Sequence, residues 1–312
     1  MTKKTKGIDW AKGPLRQVLV DQRKFLWPED TVAKLAAWMD LRPGMTVVDA
    51  GCGLGYLGYT YWDHFGNGGT YYGVDASPKL LRDAEKAAKA WAVKGKAEFI
   101  TGSALSLPFP DNFADLVMCQ TLLMHLKEPQ KALQEMVRVA KPGGLVMCQE
   151  TDNLSSALTK GYSSLPEWSL EERLFLNKMT LHWYQGRIAL GRGDSNIGPK
   201  VPEMLRAAGL KDIAIRMNDR VFLLQPPYEG SLQQHYLKMS LKGQKDKKMR
   251  RYWLRRNREE ALAGGATPEE YRRYKRMMDR IEPIFRRQLK AKTHASCGGA
   301  LFYIIKGTKP KR

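Results

Sequence analysis

Long apolar runs are missing from this chain of 312 residues, and cysteines are few. No run approaches the roughly 20 consecutive apolar residues that a membrane-spanning helix needs. The four cysteines are too few for a disulfide framework, and their spacing fits no zinc-binding pattern. The opening MTKKTKGIDW carries charge, but no apolar core of a leader peptide follows it. These absences predict a globular protein of a reducing compartment, which we expect to be cytoplasmic and to lack a transmembrane segment.

Acidic residues are also scarce, since 32 Asp and Glu face 52 Lys and Arg and give a formal net charge of +20. The excess is local: residues 242–292 carry +11, whereas residues 40–150 carry −1. A local basic excess indicates an anionic partner such as a nucleic acid, an acidic acceptor or a membrane surface. A solvated basic face without a partner fits the same pattern.

The stretch MTVVDAGCGLGYLG, residues 45–58, joins a short apolar run to a series of glycines. The run predicts a buried strand, and glycines at alternate positions let a ligand lie against the backbone where the next helix begins. Asp75 ends a second strand-like run about 20 residues further on, as expected of an acid that binds a ribose. The pattern predicts a nucleotide-type site, and residues 53–58 also fit the GxGxxG motif of dehydrogenases.

The pattern Asp49-x-Gly51-x-Gly53-x-Gly55 resembles motif I of the class I S-adenosylmethionine-dependent methyltransferases. Three later stretches resemble further motifs of this family in the same order: GVDAS (73–77), TGSALSLPFPDNFADLVMC (101–119) and VAKPGGLVMCQE (139–150). The stretch GDSNIGPKVPEMLRAAGL extends the similarity to about residue 217. The acid before the glycines and the ordered later motifs favour this family over a dehydrogenase. The resemblance is strongest to its type 11 group, which includes quinone-biosynthesis and other small-molecule methyltransferases.

The resemblance implies an α/β fold: a Rossmann-like, seven-stranded, mostly parallel sheet with an antiparallel last strand, plus helical cap insertions. We expect a single methyltransferase domain over residues 1–312. Its expected parts are a cofactor-binding core (40–150), a first helical cap insertion (151–197), a core helix and sixth strand (198–224), a basic helical cap insertion (225–296) and the last strand (297–312). In the basic insertion, Thr267 should begin a helix with a capping box, and Pro283 should kink or end it.

The resemblance also implies a site for S-adenosylmethionine, in which Asp75 takes both ribose hydroxyls. Many relatives carry an acid where Ser103 stands, so its hydrogen bond to the adenine amino group is expected to be weaker. Residues before the first strand often close over the cofactor in this family, which makes Arg16, Arg23 and Trp27 candidates for a lid. We expect cofactor contacts from Asp49, Gly51, Cys52, Gly53, Gly55, Asp75, Ala76, Ser103, Ala104 and Gln120, and no metal.

Methyl transfer needs the acceptor's lone pair in line with the methyl group and, where the acceptor carries a proton, a base. The candidate catalytic residues are His125, which follows the predicted fourth strand, and His182, in the first insertion. His125 stands in the apolar sequence LLMHL, so core packing stays open as its role. No specific pattern supports Asp152 or His294 as a base.

The sequence thus predicts a methyltransferase whose small-molecule acceptor is held under the helical cap. A methyltransferase for RNA or another nucleic acid, using the basic insertion, is the alternative, and a cofactor-binding protein without turnover is a third hypothesis. The oligomeric state stays open.

Overall fold

The computed structural model describes residue 19 and residues 27–158, 161–218 and 221–311. Its strands are β1 (Thr46–Ala50), β2 (Thr70–Asp75), β3 (Lys96–Thr101), β4 (Ala114–Gln120), β5 (Ala140–Thr151), β6 (Tyr162–Ser163), β7 (Lys211–Met217), β8 (Phe222–Leu224), β9 (Ser296–Gly298) and β10 (Phe302–Thr308). Its helices are α1 (Glu29–Trp38), α2 (Tyr56–Phe65), α3 (Pro78–Trp91), α4 (Pro129–Val139), α5 (Asn153–Leu158), α6 (Leu170–Ala189), α7 (Val201–Ala207), α8 (Ser231–Lys245), α9 (Lys247–Ala263) and α10 (Pro268–Ala291), with 3-10 turns at Leu123–His125 and Gly198–Lys200. Two of the predicted lid residues, Arg16 and Arg23, lie outside the described residues.

The chain divides into two compact units. The core unit comprises residues 27–152, 196–218 and 302–311, and the helical unit comprises residues 153–158, 161–195 and 221–301. The division into one domain with two helical cap insertions stays a prediction. None of the helices in the described part of the chain is long and apolar enough to cross a lipid bilayer.

A seven-stranded sheet forms the centre of the core unit, with the strand order β3-β2-β1-β4-β5-β10-β7. The strands β1 to β5 pair in parallel, and β10 is antiparallel to both of its neighbours. The predicted Rossmann-like sheet with an antiparallel last strand is therefore confirmed. The strand order reverses between β1 and β4, and ligands of open α/β sheets bind outside the carboxyl ends of the strands at such a reversal.

Side chains on both faces of this sheet are buried. On one face, Val117 packs in a cluster with Met136 of α4 and Leu205 of α7. Alternate strand positions point to the other face, where the side-chain amide of Gln149 donates to the hydroxyl of Tyr61 on α2 at 2.9 Å. Parallel strands that are buried on both faces have continuous apolar sequences, which explains the run LVMC within β4.

Trp27, the described member of the predicted lid, belongs to the core unit. It is 8% exposed, and its ring meets that of Phe302 on β10 edge to face, with 6.0 Å between the centroids. Trp27 therefore packs within the core unit in the described structure.

Three long helices and a small sheet make up most of the helical unit. Phe175 and Met179 of α6 pack with Ala261 of α9 and Tyr271 of α10 in one buried cluster. Gly186 lets α6 approach α9 closely, because a Cβ at this position would lie 1.7 Å from the carbonyl oxygen of Glu260. The sheet has the order β6-β9-β8 and was not predicted.

The helix α10 begins with the predicted capping box. The Thr267 hydroxyl accepts from the backbone N–H of Glu270 at 3.1 Å, and the Glu270 carboxylate accepts from the N–H of Thr267 at 2.8 Å. The helix continues through Pro283 to Ala291, so it does not end at the proline. Proline removes one backbone hydrogen bond from the helix. The helical residues beyond it bury Leu289, which is 1% exposed, and this burial offsets the loss.

Candidate functional site

A glycine turn connects β1 to α2. Gly51, Gly53 and Gly55 have φ angles of +70°, +54° and +71°, a region that glycine enters without a steric penalty. The backbone N–H groups of Gly51 and Cys52 donate to the carbonyl of Val74 at 2.7 and 3.0 Å, which ties the turn to the end of β2. The motif predicted from the sequence thus forms a tight backbone turn at the carboxyl end of β1.

The turn is open at its middle glycine. Apart from Gly53 and its two chain neighbours, no described residue has an atom within 4 Å of the position that a Cβ on Gly53 would occupy. A Cβ on Gly51, in contrast, would lie 2.6 Å from Cδ1 of Leu122, so the segment after β4 covers that end of the turn. The open space beside Gly53 fits a ligand that lies against the backbone.

Asp75 holds the turn through both of its carboxylate oxygens. Oδ2 accepts from the N–H of Gly53 at 2.9 Å, and Oδ1 accepts from the N–H of Ser77 at 2.8 Å. Burial raises the pKa of this carboxyl group, and the two backbone hydrogen bonds oppose the shift. Each carboxylate oxygen has a second lone pair, so Asp75 can also accept hydrogen bonds from two hydroxyls of a ligand.

Asp49 and Cys52 direct their side chains into the core. Asp49 is 1% exposed, and the Tyr71 hydroxyl donates to its Oδ2 at 2.7 Å. The Cys52 sulfur packs on Gly73, where a Cβ would lie 2.8 Å from it. Burial, with the nearby Asp49 and Asp75, raises the pKa of the Cys52 thiol well above its usual range. These two side chains support the turn from inside.

Replacing Tyr71 with phenylalanine is expected to lower the free energy of unfolding by about 2 kcal/mol. The change removes a hydrogen bond to a buried carboxylate, and bonds to charged groups contribute about 1.5–3 kcal/mol. Urea denaturation measures the loss, and Tyr59→Phe is the control because Tyr59 is 59% exposed. Equal stability of the two variants would contradict this role of Tyr71.

The predicted adenine loop follows β3, beside Asp75. The N–H of Gly102 donates to the backbone carbonyl of Asp75 at 3.1 Å. Ser103 is exposed, and its hydroxyl accepts from the N–H of Leu105 at 3.1 Å. Ala104 is 9% exposed. Ala76, in the Asp75 loop, is exposed.

Gln120 ends β4 and lies in register beside Gln149 of β5. Gln120 is 5% exposed and Gln149 is fully buried. The side-chain oxygen of Gln149 is buried and accepts no hydrogen bond within the described residues. Beyond Gln120, Thr121 has a φ of +48°, and the chain enters the 3-10 turn that ends at His125. These polar groups lie at the carboxyl ends of β4 and β5, beside the reversal of strand order.

Glu150, near the end of β5, anchors this turn, and the sequence did not single it out. Its Oε1 accepts from the N–H groups of Leu122 and Leu123 at 2.9 and 2.7 Å, and its Oε2 accepts from that of Met124 at 3.4 Å. Glu150 is fully buried, and burial raises its pKa to about 7 against the opposing hydrogen bonds. The carboxyl group thus fixes the segment that carries His125.

His182, the second predicted catalytic residue, lies on α6 in the helical unit. Its Nδ1 is 2.7 Å from the carbonyl oxygen of Gly264. Because a carbonyl only accepts, Nδ1 is the donor in this hydrogen bond. Nε2 is buried and has no hydrogen-bond partner among the described residues.

The core unit therefore brings together most of the predicted site, at the carboxyl ends of β1 to β4. Sequence analysis did not identify Tyr71, Gln149 and Glu150, which are buried beneath that site and support it. One signal was available for Glu150, since it is an acid near the carboxyl end of a mostly apolar strand, as Asp49 and Asp75 are.

Comparison with known proteins relates this geometry to a known kind of domain. Residues 48–148 match the family model Methyltransf_11, described as a methyltransferase domain. A demethylmenaquinone methyltransferase of Geobacillus kaustophilus is 33% identical over 137 residues, which is 44% of this chain and 56% of that protein. An uncharacterized methyltransferase of Schizosaccharomyces pombe is 38% identical over 117 residues, 36% of this chain and 42% of that protein. The chain thus spans about half the length of the relatives it matches.

A solved structure supports the fold independently. The YcgJ protein from Bacillus subtilis superposes with a TM-score of 0.51 at 16% sequence identity, covering 91% of this chain and 99% of that one. The fold and the glycine turn define a Rossmann-like methyltransferase domain. Residues 48–148 thus form a methyltransferase domain of the kind that the family model describes.

Proposed function

We propose that this protein uses S-adenosylmethionine to methylate a small-molecule acceptor. The arrangement of the glycine turn and Asp75 carries the proposal. Three glycines with positive φ follow β1, the middle one faces open space, and Asp75 fixes that glycine from β2. The glycine turn follows β1, which borders the reversal of strand order where ligands bind in open α/β sheets, and Asp75 ends the neighbouring strand β2.

The residues present fit this cofactor. Asp75 would accept hydrogen bonds from the ribose hydroxyls, the backbone at Gly53 would lie against the ligand, and residues 102–104 would border the adenine. Cys52 would contribute through its backbone, because its side chain is 4% exposed. Asp49 would act from behind the turn through its bond to Tyr71.

Bound S-adenosylmethionine supplies a methyl group on a positively charged sulfur. The chain's own part is to align the acceptor, exclude water and take up a proton where the acceptor carries one. His125 is the proposed base, since it follows β4 in the core unit, on the side of the reversal opposite the glycine turn. Gln120, at the end of β4, would contact the cofactor through its side-chain amide. Glu150 would keep the segment between them in place.

The similarity to demethylmenaquinone methyltransferase, whose name states a small-molecule substrate, supports a small-molecule acceptor. Methylation of RNA or another nucleic acid is the second candidate function, and the +11 charge of residues 242–292 favours it.

Transfer of a labelled methyl group from S-adenosylmethionine into a cell extract tests both candidate functions. The extract is afterwards separated into small-molecule, nucleic-acid and protein fractions. Label among the small molecules supports the proposal, and label confined to nucleic acid or protein contradicts it. Binding of S-adenosylmethionine without any methyl transfer would favour the third hypothesis, a cofactor-binding protein without turnover.

We expect His125→Asn to lower kcat about 100-fold while the Kd for S-adenosylmethionine changes little, since a positioned base contributes roughly 10²–10⁴-fold. The comparison variant is His182→Asn, which removes the other candidate and should affect stability more than kcat. The acceptor for the rate measurements is unlabelled material of the extract fraction that took up the label. Cofactor affinity is measured by calorimetry. A large loss of kcat in His182→Asn alone would make His182 the base.

A further inference from the structure

The helix α9 exposes a ridge of positive charge within the helical unit. We name Lys247, Arg251, Arg255 and Arg258 the α9 ridge; all four are exposed. At 3.6 residues per turn these positions fall within about 80° of the helix circumference and along about 16 Å of its length. The four charges therefore form one continuous strip.

The acids near this strip are engaged elsewhere. Glu259 pairs with Arg192 at 2.6 Å, and Glu260 pairs with Arg192 and Arg256 at 3.1 and 2.8 Å. The ridge residues, in contrast, form no ion pair with any acid in the described part of the chain. Like charges on one strip repel one another, so the ridge is poised to bind an external anion.

A groove between α9 and α10 adds further charge. It has a volume of about 760 Å³ and is lined in part by Arg250, Arg286, Arg287 and Lys290. Two acids also line it: Glu282 pairs with Arg250 and Arg286 at 2.5 and 2.8 Å, and Asp279 pairs with Lys275 at 2.6 Å. Arg287 and Lys290 are exposed and form no ion pair within the described residues. The groove is therefore a concave basic surface on the same unit as the α9 ridge.

The chemistry of these side chains selects among anionic partners. Three of the four ridge cations are arginines, whose planar guanidinium groups bind phosphates in a bidentate manner and stack on unpaired bases. A membrane-binding helix would present large apolar side chains beside its charges. Leu254, 38% exposed, is the single large apolar residue that the described part of α9 exposes to this degree. An elongated, arginine-rich strip beside a groove fits a flexible polyanion.

We propose that the α9 ridge binds the phosphate backbone of a single-stranded nucleic acid. The proposal goes beyond the methyl-transfer function and does not depend on it. Each arginine neutralises one phosphate and releases its counterion, so affinity falls with salt concentration.

Fluorescence anisotropy of a fluorescein-labelled 20-nucleotide RNA, titrated with the full chain at several KCl concentrations and without cofactor, tests the proposal. The ridge variant is Arg251→Ala/Arg255→Ala/Arg258→Ala. The matched control is Arg272→Ala/Lys275→Ala/Arg276→Ala, which makes the same charge change at residues of α10 that pair with Glu269 or Asp279. We expect the ridge variant to bind at least tenfold more weakly and the slope of log K against log[KCl] to drop by about 2, from roughly 0.7 per phosphate on single strands. The control should lose less than threefold.

Two further measurements keep the test sharp. A ridge variant with three lysines, Arg251→Lys/Arg255→Lys/Arg258→Lys, should restore the salt slope, and circular dichroism with the thermal melting temperature checks that every variant is folded. Equal losses in the ridge and control variants would overturn the proposal in favour of overall charge. Binding to phosphatidylserine vesicles without binding to RNA would overturn it in favour of a membrane surface. Failure of methyl transfer would leave these binding results unaffected.

Discussion

Replacing Asp75 with alanine is expected to weaken S-adenosylmethionine binding about 1,000-fold. In the proposed complex the carboxylate accepts hydrogen bonds from two ribose hydroxyls. Hydrogen bonds to a charged group contribute about 1.5–3 kcal/mol each, and each 1.4 kcal/mol is roughly tenfold in Kd. The backbone N–H groups of Gly53 and Ser77 would also lose their acceptor, so the glycine turn itself would be less well fixed. Isothermal titration calorimetry with S-adenosylmethionine and with its demethylated product measures the change.

Two controls separate loss of binding from loss of folding. Asp63→Asn changes an exposed acid on α2 and should leave the Kd unaltered. The melting temperature of Asp75→Ala without ligand shows how much the turn contributes to stability. Unchanged cofactor affinity in a folded Asp75→Ala protein would contradict the proposed site.

The pH dependence of S-adenosylmethionine binding has a predictable direction. Burial raises the pKa of Asp75 in the free protein, while the ribose hydroxyls would favour its ionised form. Affinity should therefore be constant above this pKa and fall as the pH is lowered through it. In Asp75→Ala this part of the pH dependence should be missing.

The sequence was most informative where the structure is local. The glycine turn, Asp75 and the capping box at Thr267 each involve a short stretch of chain with a strong backbone preference, and the structure forms each of them. The antiparallel last strand followed from family resemblance, since nothing in the run ALFYII itself sets its direction.

The parts that sequence reasoning missed depend on contacts between distant residues. The Tyr71–Asp49 bond joins residues 22 positions apart, and the Glu150–Leu122 bond spans 28 positions. Neither residue pair has a periodic pattern that would indicate its partner. The three-stranded sheet of β6, β9 and β8 is assembled from segments of two or three residues, which are too short for alternation to be recognised.

Glu150 should have the largest effect on stability of the residues that support the site. In Glu150→Ala, the N–H groups of Leu122 and Leu123 would be left without their acceptor, together with the more weakly bound one of Met124. Each unsatisfied buried donor costs about 1–3 kcal/mol, so we expect the free energy of unfolding to fall by about 5 kcal/mol. Glu150→Gln keeps one acceptor oxygen and should lose less. Urea denaturation at pH 7 compares the two, and equal stability of Glu150→Ala and the natural protein would exclude the anchoring role.

The pH dependence of the same residue provides a second test of that role. Burial raises the pKa of Glu150 to about 7, against about 4.3 in an unfolded chain. Between these values the folded protein holds a proton that the unfolded chain releases, so the free energy of unfolding falls as the pH rises. At 1.36 kcal/mol per pKa unit, the contribution of Glu150 is about 3 to 4 kcal/mol less favourable at pH 8 than at pH 4. The variant Glu150→Gln has no titrating group at this position. As the pH rises from 4.5 to 7, any advantage in unfolding free energy of the natural protein over this variant should therefore shrink or reverse. Above pH 7.5 the difference should stay constant. Parallel stability curves for the two proteins would mean that Glu150 does not hold its proton near neutral pH. The segment of His125 would then be anchored by a carboxylate that is ionised throughout.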